Sequence, residues 1–193
     1  SAASDVYKRQ IIRLSSNIGA VKIGEKVGPE QLYMTLKRFG FGERTGIDCP
    51  GETRGILREL SKWSPVDAGT ICFGQGISVS AIQLTMAYGA IANNGIMMKP
   101  CVVKAITDNK GRIIKRFAPT EVKRVMSEVT AIRITQILKD VVMRGGTGIR
   151  AKLKSYTVAG KTGTAQKVSP KGGYAKDKNI VSFVGFVPAD DPK

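Results

Sequence analysis

The chain has 193 residues, 42% hydrophobic and 24% charged, which are the values of one globular domain or a large piece of one and exclude a disordered polymer. Its net charge is +16, from 31 basic and 15 acidic residues, and it holds no histidine, which removes Ser-His-Asp and Cys-His catalysis and any His-ligated metal. No run of 18 apolar residues is present to cross a bilayer, and the three cysteines, Cys49, Cys72 and Cys101, are too far apart for a metal motif. No cofactor or metal is expected, and buried structural thiols are the default reading of the cysteines.

Residues 1–10 lack the apolar core of a leader peptide and read as a junction rather than a domain start. Ile11 to Leu14 lead into Ser15-Ser16-Asn17, residues favoured at helix N-caps, and a helix is expected from about Ile18 to Val27 with Ile18, Val21, Ile23 and Val27 inward. Pro29 opens a second helix, with Leu32, Leu36 and Phe39 on one face and Gly40 as its stop. Residues 40–76 are glycine-rich and irregular, a length of loop that is more often functional surface than filler, with Trp63 as an anchor.

Ser80-Ala81-Ile82-Gln83 is a capping box, and the helix it opens runs to Asn93-Asn94-Gly95. Met97 to Ile106 reads as a strand, Asp108 to Gly111 as a turn and Arg112 to Phe117 as the returning strand of a hairpin. Ser127 caps a helix carrying Val129, Ile132, Ile134, Ile137, Leu138, Val141 and Val142, and Gly145-Gly146-Thr147-Gly148 ends it. A strand is expected from about Tyr156 to Gln166, a polar loop over Lys167 to Lys178, and a last strand from Asn179 to Val187, closed by Pro188. Between Lys104 and Lys154 there are 13 basic and 4 acidic residues, without interleaved aromatics. A solvated basic face accounts for them better than a nucleic-acid surface.

The densest chemistry lies in Val158 to Gln166. On a strand, Thr162 and Thr164 share one face and Lys161 and Gly163 the other. An ammonium, two hydroxyls and a glycine with bare backbone suit an extended peptide ending in a carboxylate; the plainer reading is a basic edge strand with a glycine bulge. Gly160-Lys161-Thr162 also resembles the end of a phosphate-binding loop, but Ser155 stands where that motif needs glycine and the flanks read as strand, so nucleotide binding is rejected.

Ser15-Ser16-Asn17 and Lys161-Thr162-Gly163-Thr164 together match the S-x-N and K-T-G motifs of the serine penicillin-recognising enzymes. Gly46 to Glu52, Phe73 to Ser80, Asn93-Asn94-Gly95 and Ser182 to Ala189 look like further segments of the same family in the same order. From about Ile11 onward the chain resembles the transpeptidase domain of class B penicillin-binding proteins, most closely the septal, cell-division type.

The resemblance implies an α+β fold, a helical lobe with part of an antiparallel sheet, in which a serine attacks the D-Ala–D-Ala bond of a peptidoglycan stem peptide and an amine resolves the acyl-enzyme. It implies that Ser15 shuttles a proton, that Asn17 bonds the substrate amide, and that Lys161 supplies positive potential. It further implies that Ser16, Thr162, Gly163 and Thr164 line the substrate, with the Thr164 N–H as half of an oxyanion hole and Gly163 allowing antiparallel pairing. Stem peptides and β-lactams are the implied ligands, cell-wall synthesis and division proteins the implied partners. The implied location is outside the cytoplasmic membrane, through an N-terminal anchor not seen in this sequence.

One part of the pattern is missing. No serine here has lysine three residues on, so the S-x-x-K nucleophile motif is absent, and the chain stops at Asp190-Asp191-Pro192-Lys193, where the family continues into a strand and a helix. The expectation is an internal piece, residues 11–193, with two of five central strands, unable to form an acyl-enzyme alone. A serine β-lactamase, a degenerate homologue kept for partner contacts and a non-catalytic basic binding module are the alternatives.

Overall fold

The computed structural model describes residues 2–168 and 173–192. Its first element, helix α1 (Ala2–Arg13), runs through the segment to which the sequence assigned no structure. Helix α1 packs on α2 (Asn17–Val27) and α6 (Glu128–Val141), with an Arg9–Asp140 ion pair at 3.1 Å. The boundary at residue 11 therefore falls inside a helix.

The end of α1 and the start of α2 are one tight turn. Ser15 donates its N–H to Ile12 O at 3.2 Å and Ser16 to Ile11 O at 3.0 Å. These are the paired bonds of a Schellman cap, and they put Ser15 in its left-handed position at φ 56°. Ser16 then caps α2, its hydroxyl accepting from Gly19 N at 3.1 Å. Of the four residues expected inward on α2, Val21 and Ile23 are half-buried and the other two face solvent. Ile18 is 73% exposed and Val27 is exposed as well. The buried positions are Gly19 and Gly24. They let neighbouring segments come close: a Cβ on Gly24 would collide with Cys72 Sγ at 2.1 Å.

Helix α3 (Pro29–Arg38) follows as expected. The long irregular region is tied down by polar side chains. Asp67, at the start of the short helix α4 (Asp67–Ile71), accepts from Ser64 N at 2.6 Å and Ser64 Oγ at 2.9 Å and pairs with Arg58. Trp63 packs edge-on to Tyr33 at 5.7 Å and donates to Arg58 O at 2.9 Å, the anchoring role read for it. Helix α5 (Ala81–Ala92) carries the expected capping box. Its Gln83 is 2% exposed and donates to Glu43 O at 2.8 Å and Arg54 O at 3.0 Å, holding the loops against the helix.

The strand expected over Met97 to Ile106 is two strands. Ile96–Met98 (β1) pairs antiparallel with Glu121–Arg124 (β4), which the sequence reading missed. Ala105–Thr107 (β2) forms the expected hairpin with Ile113–Arg116 (β3). Between them Pro100 offers no N–H, and the N–H groups of Val102 and Val103 donate to the Asp48 carboxylate at 2.7 and 3.0 Å instead of to a strand.

Ser127 caps α6, whose buried positions, Ala131, Thr135, Leu138 and Val141, recur at helical spacing and leave Val129 and Ile132 exposed. Strands β5 (Ala159–Val168) and β6 (Tyr174–Phe186) form one long antiparallel hairpin. The polar stretch expected as loop is mostly strand, and residues 169–172, with Lys171 and Gly172, lie outside the described residues. Helix α6 packs on β5 and α5 on β6, and Leu138, Ala159 and Ala189 form a core with Tyr88, Ile91, Ile134 and Phe186 around it. The architecture is the expected α+β class, helices against antiparallel sheet pieces. Cys49 and Cys101 are exposed free thiols, contrary to the burial expected of them, and Cys72 is half-buried. Cys49 and Cys101 sit on the loops joined by the Asp48 clamp, away from both cores.

Candidate active site

The S-x-N turn and the K-T-G strand meet. Lys161 reaches from β5 to the α1–α2 turn, where its Nζ donates to Ser15 Oγ at 2.5 Å. The same ammonium donates to Thr162 O at 3.0 Å and Thr162 Oγ1 at 3.4 Å, so its three donors are all directed. Lys161 is half-buried, and burial lowers its pKa from the ordinary lysine value. A lysine at the P-loop position would open a helix, whereas Lys161 lies inside β5, which removes the phosphate-loop alternative on structural grounds.

Ser15 sits in the left-handed region, where a residue with a Cβ is strained by about 1 kcal/mol. The Schellman geometry enforces that conformation and presents the exposed hydroxyl to Lys161. Ser16 spends an acceptor site on the α2 cap, and Asn17, the first residue of α2, stands exposed beside it.

On β5, Thr162 is half-buried and Thr164 exposed. Among the described residues β5 pairs with β6 alone, so its other edge carries unpaired backbone. Gly163 pairs with Ser182, and a Cβ there would meet only the Ser182 hydroxyl, at 2.7 Å. An ammonium, a strained serine hydroxyl, two threonines and an open strand edge together can bind an extended peptide, hold its carboxylate and move a proton at Ser15 Oγ.

One residue beside the motifs carries only a helix-stop signal in the sequence. Thr147, in the turn after α6, places its hydroxyl 2.9 Å from Thr162 Oγ1. Its glycine neighbours are what hid it, since they carry the signal of a turn and nothing of a site.

Comparison with known proteins identifies the family. The penicillin binding protein transpeptidase domain matches residues 4–193. Stage V sporulation protein D of Bacillus subtilis is 44% identical over 184 residues, covering 95% of this chain and 28% of that protein. Peptidoglycan D,D-transpeptidase FtsI of Escherichia coli is 31% identical over 98% of this chain and 30% of its own length. A crystal structure of penicillin binding protein 3 from Mycobacterium tuberculosis with aztreonam superposes with a TM-score of 0.89 at 37% identity, covering 96% of this chain and 43% of that one. The chain thus spans under a third of the length of these curated relatives. Among the described residues no helix is long and apolar enough to cross a membrane. On the matched domain, the relatives and the shared fold, the chain belongs to the penicillin-binding protein transpeptidase family, with class B penicillin-binding proteins as its relatives.

Proposed function

We propose that these residues form two walls of the peptide cleft of a peptidoglycan D,D-transpeptidase of the cell-division or sporulation type, which also binds β-lactams. The observation that carries the reading is the 2.5 Å contact between Lys161 Nζ and Ser15 Oγ beside the open edge of β5.

A stem peptide would lie antiparallel to β5, its backbone on the free edge and its terminal carboxylate at Thr162, Thr164 and the Lys161 ammonium. The Thr164 N–H would contribute one oxyanion donor. Ser15 would pass a proton to the departing D-alanine nitrogen and take one from the attacking amine, with Lys161 as its partner in the exchange. Asn17 would hold the substrate amide from the exposed first turn of α2, and Ser16 would border the peptide. The acylated serine is supplied from outside these 193 residues, since no serine here carries lysine three residues on. The catalytic domain would work on the outer side of the cytoplasmic membrane, held by an anchor outside this chain, in company with division proteins.

A fluorescent penicillin tests the reading. The full-length protein should be labelled covalently, Lys161→Met should abolish or strongly slow the labelling, and residues 1–193 alone should stay unlabelled. No labelling of the full-length protein, or full labelling of Lys161→Met, would reject it.

A further inference from the structure

We infer that Thr147 is a positioning residue for carboxylate recognition, acting through Thr162, and that its turn ties the two walls of the cleft together. The inference rests on the reading of Thr162 as a carboxylate-binding residue.

The turn after α6 is held from both sides. Thr147 N donates to Arg13 O at 3.3 Å, two residues before Ser15, while Thr147 Oγ1 sits 2.9 Å from Thr162 Oγ1 on β5. Gly148 is buried and donates to Val141 O at 2.9 Å, and Gly146 donates to Met143 O at 2.8 Å, so the turn is fixed on the end of α6. The Arg13 guanidinium lies over the turn, donating to Arg144 O. It fills the space a side chain at Gly145 would need, with Nη2 2.8 Å from a built Cβ, and Gly145 adopts φ +82°. The α1 end that presents Ser15 and the strand that presents Thr162 thus share Thr147.

Either hydroxyl can donate in this contact, and we take Thr147 as the donor. A threonine hydroxyl has one donor and two acceptor sites. Lys161 already donates to Thr162 Oγ1 at 3.4 Å. If Thr147 donates to the second lone pair, both acceptor sites of Thr162 are filled and its single proton is left to point at a substrate carboxylate. Without Thr147 the Thr162 hydroxyl is free to rotate, and the carboxylate loses an oriented donor.

The test uses the full-length protein and two probes, a penicillin and its carboxyl methyl ester, with second-order acylation rate constants as the readout. Thr147→Val should slow acylation by the free acid roughly three- to tenfold, the worth of one oriented hydrogen bond, and leave the ester's rate unchanged. Thr147→Ser should restore the free-acid rate. Thr147→Ala, which cannot crowd Thr162, should behave as the valine variant does. Equal losses on acid and ester, or no loss on either, would overturn the inference. Failure of the unsubstituted protein to react with the free acid would overturn the cleft reading and this inference with it.

Discussion

Lys161 Nζ lies 2.5 Å from Ser15 Oγ across 146 residues of sequence, and that contact joins a strained helix-end serine to a half-buried lysine. Each partner explains the other. The left-handed turn aims the hydroxyl, and burial holds the ammonium's pKa below the ordinary lysine value.

The strain at Ser15 separates stability from function. Ser15→Gly removes the left-handed penalty and should raise stability by up to about 1 kcal/mol in chemical denaturation. Ser15→Ala keeps the penalty and should change stability by less than about 0.5 kcal/mol. Both should cripple acyl transfer in the full-length protein. Equal stability of all three forms would mean that the turn is unstrained.

Lys161 makes stability depend on pH with a definite sign. Its folded pKa lies below the unfolded value near 10.5, so between the two the unfolded chain holds the extra proton and stability climbs as pH rises. Below that window the buried cation is a standing cost. Lys161→Met should flatten the climb, measured as the difference between the two proteins' unfolding free energies against pH. Carboxylate affinity should fall over the same interval as the ammonium is lost. A difference that does not vary with pH would contradict the assignment.

Two glycines of β5 should respond differently to alanine. At Gly160 a Cβ meets the Phe183 ring at 2.4 Å and Val184 O at 2.8 Å, and the backbone oxygen cannot rotate away. Gly160→Ala should cost about 1–3 kcal/mol, as overpacking does. At Gly163 the only obstacle is the Ser182 hydroxyl, which can turn. Gly163→Ala should fold with a smaller loss, and its effect should appear in substrate and β-lactam binding. Thermal unfolding of both variants beside a binding assay checks the contrast.

Gln83 should prove a structural keystone. Its amide holds Glu43 O and Arg54 O, and its Oε1 accepts from Ser80 N at 2.8 Å. Gln83→Ala removes the capping box and two loop anchors and should cost about 2–4 kcal/mol. Urea unfolding measures it, and a loss under about 1 kcal/mol would show that the loops hold themselves.

Much of this was legible in the sequence because local chemistry dictates it. Ser80 with Gln83, Ser127 and the Asp108–Gly111 turn each announce an element boundary through a side chain that meets nearby backbone, and Pro29 does so through its fixed φ at the first helical position. What escaped needed partners far along the chain. The extended run after β1 is interrupted at Pro100, and the Val102 N–H turns to the Asp48 carboxylate, a contact over 54 residues. Strands β5 and β6 extend into lysine-rich sequence because they pair with each other there, without an apolar face to betray them. The apolar side chain of Ile18 predicts an inward position, yet the small residues Gly19 and Gly24 set the packing face of α2. The two motifs of the site could be read from their residue types, but Thr147 could be found only once Thr162 had a neighbour in space.

Peptide mapping of the full-length protein after reaction with a penicillin locates the acylated residue directly. One acyl adduct is expected, on a serine outside these 193 residues, with Ser15 and Ser16 unmodified. An adduct on Ser15 or Ser16, or none anywhere, would overturn the assignment of these two serines to the cleft wall.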